Sequence, residues 1–333
     1  MAEPEQDRLE LSVIAPMYNE QAVIEQAVRK LVSAVEALGV SYELILVNDG
    51  STDDTENVLR RTAGEFDHVR IVSYQQNRGR GYALRAGFAR CAGRYVISTE
   101  SDLTWGQNII GELYNELLVS RADVVVASPY APGGKLENVP LRRAFLSSFG
   151  NRILRRSVPA PITMLSGMTR GYLGDAIRSM PLQEDRKEIH LEIISKACML
   201  GYRFSEIPAT LRWEPPKKGK PQRKSKFRAG RLIRTHLLFG FHEAPFLLFG
   251  TVGVLALLAG LGLGLYLFYL HFILGQVIGT RVILILTTVF LVLAGISMFL
   301  FCFLSYQIKG LRRELFVLHH KFLSLAHSSE LIP

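Results

Sequence analysis

The sequence predicts an α/β protein, with a mainly parallel, doubly wound sheet followed by two C-terminal transmembrane helices. Three observations carry this reading. Short apolar, β-branched runs alternate with helical periodicity through the first two thirds of the chain, as strand–helix units do around a parallel sheet. Three of these runs, Ser12–Glu20, Tyr42–Thr55 and Tyr95–Leu103, end in polar clusters containing a carboxylate. A strand buried on both faces reads as a continuous apolar run, and ligands of open α/β sheets bind beyond the strands' carboxyl ends. Asp49, Glu100 and Asp102 are thereby expected around one crevice, which suits a nucleotide and a divalent cation. Finally, Ala244 to Thr280 and Val282 to Ile308 contain no Asp, Glu, Lys or Arg, and a membrane helix needs about 20 largely apolar residues.

Taken in order, residues 11–18 read as the first strand. Ile24, Val28, Leu31, Val35 and Leu38 then recur at helical spacing up to Gly39, a residue suited to ending a helix. Residues 42–48 are the second strand, and Ser51-Thr52-Asp53-Asp54 offers N-cap chemistry for a helix to about Ala63. Further strands are expected at 69–74, 94–99 and 122–127, with helices over 82–91 and from about Gln107 to Leu118. Beyond these, Leu141 to Arg156 reads as a basic helix, Lys187 to Leu200 as a helix, and 203–213 as a last strand. Membrane helices are expected at about 246–270 and 282–306. The implied divisions are a tail (1–10), a catalytic domain (11–214), a basic juxtamembrane segment (215–245), the two spans (246–308) and a C-terminal tail (309–333).

The chain has 333 residues and a formal charge of +9. No acid lies between Glu214 and Glu243, where Lys217, Lys218, Lys220, Arg223, Lys224, Lys226, Arg228, Arg231 and Arg234 are found. Such a run beside a membrane span attracts anionic lipid rather than nucleic acid. Lys309, Arg312, Arg313 and Lys321 follow the second span and only Arg281 lies between the two. The positive-inside rule therefore predicts two cytosolic flanks and an external turn near Arg281. The acidic, polar N-terminus is no signal peptide. Cys91, Cys198 and Cys302 are far apart, with no disulfide or zinc spacing, as expected in a reducing compartment.

Several segments, in order and spacing, resemble family 2 glycosyltransferases of the GT-A fold, and among them the polyprenyl-phosphate glycosyltransferases, the group that includes dolichyl-phosphate mannose synthase. They are Pro16-Met17-Tyr18-Asn19-Glu20, Val47-Asn48-Asp49-Gly50-Ser51-Thr52-Asp53, Asn77-Arg78-Gly79 with Gly81, Glu100-Ser101-Asp102-Leu103, Gly133 to Asn138, Ser166-Gly167-Met168 and Arg223-Lys224-Ser225-Lys226. The similarity runs from about residue 11 to 228.

The resemblance implies roles. Pro16, Tyr18, Glu20 and Asp49 would hold the base and ribose of a GDP- or UDP-sugar. Asn77, Gly79 and Arg85 would shape and charge the nucleotide pocket. Glu100-Ser101-Asp102 occupies the place of the family's Asp-x-Asp motif, so Glu100 and Asp102 would bind Mg²⁺ or Mn²⁺ with the diphosphate, both hard-oxygen chemistry. Two departures stand out. Glu100 replaces the first Asp and Thr104 stands where relatives carry Gln. The family's Gly-Ser-Arg-Tyr reads Ala127-Ser128-Pro129-Tyr130, so its phosphate-binding Arg is a proline. Arg143 and Ser147 match a later phosphate-binding Arg and Ser, and Arg212, Arg223 and Lys226 are further phosphate candidates.

The chemistry turns on the acceptor. A polyprenyl (dolichyl or undecaprenyl) phosphate is already an anion and needs cations to position it, whereas a hydroxyl of a lipid or glycan needs a general base. Asp185, in Glu184-Asp185, is the candidate base. Glu188 and Glu192 are spaced four apart, and His190 between them gives a weak metal pattern. The expectation is an inverting, membrane-anchored hexosyltransferase facing the cytosol of a bacterial or archaeal plasma membrane, the ER membrane being the alternative. The competing readings are a hydroxyl-directed transferase and a catalytically weakened scaffold that binds nucleotide sugars. Homo-oligomerisation is left open.

Overall fold

The computed structural model describes residues 9–102, 104–106, 108–140, 147–148, 151, 160–212, 249–277, 279 and 281–329. The chain divides into two compact units.

The first unit is built on a seven-stranded sheet. Its strands are β1 (Leu11–Met17), β2 (Tyr42–Asp49), β3 (Val69–Tyr74), β4 (Tyr95–Ser98), β5 (Val124–Ser128), β7 (Arg170–Leu173) and β8 (Phe204–Pro208), in the order β3-β2-β1-β4-β7-β5-β8. β6 (Lys135–Glu137) and β9 (Thr210–Arg212) form a separate parallel pair. The pairs β1–β2, β1–β4, β2–β3 and β5–β8 are parallel. β1, β2, β4 and β5 are buried along nearly their whole length, which accounts for their largely apolar sequences.

Helices cover the sheet: α1 (Ile24–Glu36), α2 (Thr55–Ala63), α3 (Arg80–Phe88), α4 (Ile109–Ser120), a short α5 (Gly174–Arg178) and α6 (Ile189–Met199). The amphipathic face of α1 buries Ile24, Val28, Leu31 and Val35, the residues whose spacing predicts it.

The first unit departs from the sequence reading at several points, β6 and α5 among them. β7 was not anticipated. Its Arg-Gly-Tyr-Leu sequence carries no apolar signature, and it runs antiparallel between β4 and β5. The expected strand at 203–213 is two strands. The Ala209 N–H still donates to the Ser128 carbonyl at 3.0 Å, but the Ala209 carbonyl accepts from Lys135 N at 3.1 Å, so the chain crosses from the main sheet to the small one there. The helix expected at 82–91 begins at Arg80, directly after Gly79 at φ 101°, and ends at Phe88. Most of the basic helix expected at 141–156 and all of the 215–245 segment lie outside the described residues.

The second unit holds α7 (Thr251–Phe268), continued by a π turn over Tyr269–Ile273, and much of α8 (Val282–Ser329). Thr251–Ile273 and Val282–Ile308 are long and apolar enough to cross a membrane, with mean hydropathies of 2.1 and 2.7. They pack where side chains are smallest: a Cβ on Gly295 would lie 2.5 Å from Leu257 Cγ, and one on Gly260 2.8 Å from Val292 Cγ2. The outward Leu, Ile, Val and Phe side chains are exposed. α8 does not end where the apolar span ends but continues to Ser329, because no proline interrupts its good helix formers. Cys91, Cys198 and Cys302 are free.

Candidate active site

The carboxyl ends of β1, β2 and β4 lie side by side, Ile14 pairing with both Ile45 and Ser98. The loops after β1 and β2 are stitched together. Asn19, at φ 52°, accepts from Thr52 N at 2.8 Å through Oδ1 and donates to Thr52 Oγ1 at 3.2 Å, while its own N–H donates to Ser51 Oγ. Gln21 Oε1 accepts from Asp54 N at 2.7 Å. Glu20 N donates to Thr55 Oγ1 at 2.7 Å, and that hydroxyl donates to Asp53 Oδ1 at 2.5 Å. The helix-start cluster at 51–54 therefore joins two loops, and Asp53 accepts from Thr55 N at 3.1 Å. Pro16 lies in β1, with half-buried Tyr18 and Glu20 just beyond it.

Asp49 is buried, and its carboxylate is a hub. Oδ1 accepts from Tyr74 Oη at 2.8 Å, Arg78 N at 2.9 Å and Gly79 N at 3.1 Å; Oδ2 accepts from Asn77 Nδ2 at 2.9 Å and Gly79 N at 3.0 Å. Burial, and then the Asp49 charge, push the ionisation of the Tyr74 hydroxyl up, so it stays a donor. The Asn77 amide also donates to the Asp49 carbonyl at 2.9 Å. The loop 77–79 is thus wrapped around Asp49, whose acceptor positions are filled by the chain itself.

Close backbone approaches fix two glycines there. At Gly50, φ 60°, a Cβ would lie 2.4 Å from Gln76 C. At Gly81 it would lie 2.4 Å from the Glu184 carbonyl oxygen and 2.5 Å from that of Arg186. Segment 184–186 therefore rests on the start of α3, where Tyr82 N donates to the Asp185 carbonyl at 3.0 Å. The Arg78 guanidinium lies 3.6 Å from the Tyr82 ring centre, and Tyr82 meets Tyr74 edge-on at 5.1 Å.

Glu100 and Asp102 follow β4. Glu100 is half-buried; Oε2 accepts from Thr104 Oγ1 at 3.0 Å, and Oε1 lies 3.5 Å from Arg80 Nη1. Burial raises the Glu100 carboxyl above its ordinary range, Arg80 opposing and Asp102 adding to the rise. Asp102 is exposed and accepts from Thr104 N at 3.2 Å. Ser101, buried between them, donates to Glu20 Oε2 at 2.5 Å. Among the described residues, no three His, Cys, Asp or Glu side chains cluster as a complete protein-only metal site. Two carboxylates of which one is exposed do fit a Mg²⁺-like ion, which is ordinarily held by one or two carboxylates together with substrate phosphates and water.

Asp185 is paired through Oδ1 with Arg85, whose other terminal nitrogen donates to the Leu182 carbonyl at 3.1 Å, and Arg78 lies 4.0 Å away. Glu192 accepts from the backbone N–H groups of Gln183 and Glu184, both at 2.9 Å, and from Lys196 at 2.6 Å. Glu192 thus holds the segment that carries Asp185. His190 is buried, lowered well below its ordinary pKa by burial and by Arg170 and Arg80, and neither ring nitrogen has a hydrogen-bond partner. This is no metal cluster with its neighbouring glutamates. The Arg212 backbone N–H donates to the Thr104 carbonyl at 3.0 Å, bringing β9 to the acid loop, while its guanidinium pairs with Glu137 at 2.9 Å.

The structure therefore gathers Pro16, Tyr18, Glu20, Asp49, Asn77, Gly79, Arg85, Glu100, Ser101, Asp102 and Asp185 at one end of the sheet. Ser147 is half-buried, and its carbonyl accepts from Asn151. Arg143, Arg223 and Lys226 lie outside the described residues. Sequence reasoning missed Tyr74, Tyr82, Arg80 and Arg170. Arg170 is wholly buried and donates to the His190 and Leu165 carbonyls at 2.8 and 2.6 Å. Its strand gave no signal to find it by.

A family model described as Glycosyl transferase family 2 matches residues 12–180. An undecaprenyl-phosphate 4-deoxy-4-formamido-L-arabinose transferase from Shewanella sediminis is 26% identical over 266 residues, covering 80% of this chain and 76% of the relative. A dolichol-phosphate mannosyltransferase from Pyrococcus furiosus is 27% identical over 151 residues, 45% of this chain and 42% of the relative. Among solved structures, glucosyl-3-phosphoglycerate synthase from Mycobacterium tuberculosis, in complex with Mn²⁺, UDP-glucose and phosphoglyceric acid, aligns with a TM-score of 0.53 at 18% identity. The alignment covers 72% of this chain and 80% of that one. The structural likeness shows the GT-A fold.

Proposed function

The chain belongs to glycosyl transferase family 2, and from that premise we propose that it moves one sugar, with inversion, from a nucleotide-sugar donor to a polyprenyl phosphate at the cytosolic face of a membrane. It is a glycosyltransferase. Similarity to a transferase named for undecaprenyl phosphate, over 80% of this chain, supports the acceptor.

The single structural observation that carries the choice of acceptor is the state of Asp185. Its Oδ1 is occupied by Arg85 and it faces Arg78, so the carboxylate best placed to serve as a base is already engaged. A phosphate acceptor requires no base. Its oxygen attacks the anomeric carbon, the bond from that carbon to the diphosphate oxygen breaks, and the nucleoside diphosphate leaves from the opposite face. Tyr18, Glu20 and the loop organised by Asp49 hold the nucleotide, and Arg80 and Arg85 bias the crevice toward anions. Glu100 and Asp102 would hold Mg²⁺ or Mn²⁺. When bound, that cation neutralises charge developing on the departing diphosphate. Arg143, Ser147, Arg212, Arg223 and Lys226 are proposed to position the acceptor and donor phosphates.

The test is to incubate the protein with polyprenyl phosphate and a panel of radiolabelled nucleotide sugars. The expected product is a labelled lipid released by mild acid. In the same assay Arg143→Ala should raise the lipid-phosphate KM or lower kcat, because a charge-assisted contact is lost, and Asp185→Asn should cost less. An acid-stable product, with Asp185→Asn slowed by about 10²–10⁴ and Arg143→Ala near-silent, would establish the hydroxyl reading instead.

Sidedness follows from the charge asymmetry. A cysteine placed at Gln276, in the turn between the two apolar helices, should react with an impermeant thiol reagent added outside intact cells. Labelling only after permeabilisation would overturn the cytosolic placement.

A further inference from the structure

The sheet carries a second cavity at the end opposite the acid loop. It occupies about 490 Å³ and opens beside the first residues of β4 and β8 and the last turn of α4. Small-molecule pockets commonly measure about 300–1,000 Å³. Its floor is apolar, formed by Tyr95, Leu117 and Leu173, and three arginines, Arg94, Arg121 and Arg203, surround it. Asp123 is the acid in the lining and lies 3.6 Å from Arg203. Arg94 and Arg121 have no carboxylate partner among the described residues, and the Arg94 guanidinium sits 5.5 Å from the Tyr95 ring centre.

Two further observations make this more than a scatter of surface charge. Arg121 is the C-cap of α4 in the left-handed conformation, φ 51° and ψ 30°. Glycine takes that conformation freely and a side chain does so at a cost. An arginine held there needs a reason beyond the backbone. In addition, Leu118 and Val119, in the turn of α4 beside the cavity, are the large apolar side chains that the described part of the first unit leaves exposed, by 42% and 82%. Unpaired cations and open apolar surface thus meet at one cavity.

The geometry points to a second binding site here, for a small organic anion, a phosphate or carboxylate attached to an apolar body. The anion would sit between Arg94 and Arg121, where a forked guanidinium contact is available from each. The apolar body would lie on Tyr95, Leu117 and Leu118. Because the site lies at the other end of the strands from Glu100 and Asp102, its occupant differs from the sugar donor, and the inference stands apart from the acceptor proposed above.

The test uses the full-length protein and 1-naphthyl phosphate as probe, followed by its own fluorescence. Saturable binding is expected, with inorganic phosphate competing and neutral 1-naphthol binding far more weakly. Arg94→Gln and Arg121→Gly should each weaken the probe about tenfold or more, as loss of a charge-assisted contact does. Arg121→Gly should also melt no lower than the wild type, since glycine relieves the left-handed cap. Weakened probe binding with an unchanged or higher melting temperature is the signature of a side chain kept for a ligand. Wild-type probe affinity in both variants, 1-naphthol binding as tightly as 1-naphthyl phosphate, or a lowered melting temperature in Arg121→Gly would overturn the site.

Discussion

Asp102→Asn should remove most sugar transfer while leaving the protein folded. Asp102 is exposed and makes a single described hydrogen bond, from Thr104 N to Oδ1. Asparagine keeps the shape and that acceptor oxygen and loses only the charge. A surface substitution of this kind is usually within about 0.5 kcal/mol of neutral for stability. The charge is what a cation bridging the diphosphate would require. Removing one such electrostatic stabiliser of a leaving group costs about 10²–10³ in kcat. EDTA should have the same effect on the wild type and little further effect on the variant. The measurement is steady-state transfer with and without EDTA, alongside thermal melting. Full wild-type activity in EDTA would end the metal role of Glu100 and Asp102. Loss of activity together with loss of the folded state would mean Asp102 holds the loop instead.

Much of this arrangement was legible in the sequence because parallel strands advertise themselves. β1, β2, β4 and β5 are largely apolar since both faces are covered, and their polar tips follow at once. The acid pair and Asp49 were found that way; the Asn77–Gly81 turn follows β3, which is only half-buried, and was found through the family resemblance. What was not legible has a common cause: it depends on contacts between segments distant in sequence. β7 is held by neighbours on both sides rather than by its own residues, so Arg-Gly-Tyr-Leu carries no strand pattern. The break at Ala209 arises from competition between two sheets for one backbone. The pairing of Asp185 with Arg85 joins residues a hundred apart, and no sequence pattern near Asp185 announces it. Likewise Glu192 reads as an acid near the site, yet its oxygens are occupied in tethering Gln183 and Glu184.

Asp49 shows the same gap most sharply, and it yields the second large prediction. The family resemblance assigns Asp49 to the nucleotide base, but here its carboxylate is filled by four groups of the chain: Tyr74 Oη, Asn77 Nδ2, Arg78 N and Gly79 N. A carboxylate offers acceptors only, so all four are satisfied at once. An amide has one oxygen. In Asp49→Asn the two backbone N–H groups and Tyr74 Oη can share it at the Oδ1 position, but the new NH₂ then faces the Asn77 amide. Asn77 cannot simply flip, because its Nδ2 also donates to the Asp49 carbonyl. At least one buried donor is stranded, at a cost of about 1–3 kcal/mol. For a domain of this size each kcal/mol lowers Tm by about 2–4 °C. The variant should therefore melt several degrees lower. The loop at 76–81, no longer wrapped on its hub, should bind the donor poorly, so the donor KM should rise more than kcat falls. The two roles separate in one pair of measurements, thermal melting and donor KM. If Asp49→Asn keeps the wild-type melting temperature while the donor KM rises, Asp49 touches the base directly and the hub is incidental. If both move together, Asp49 works by holding the loop that holds the nucleotide, and the glycines at 50 and 81 are conditions of that same packing.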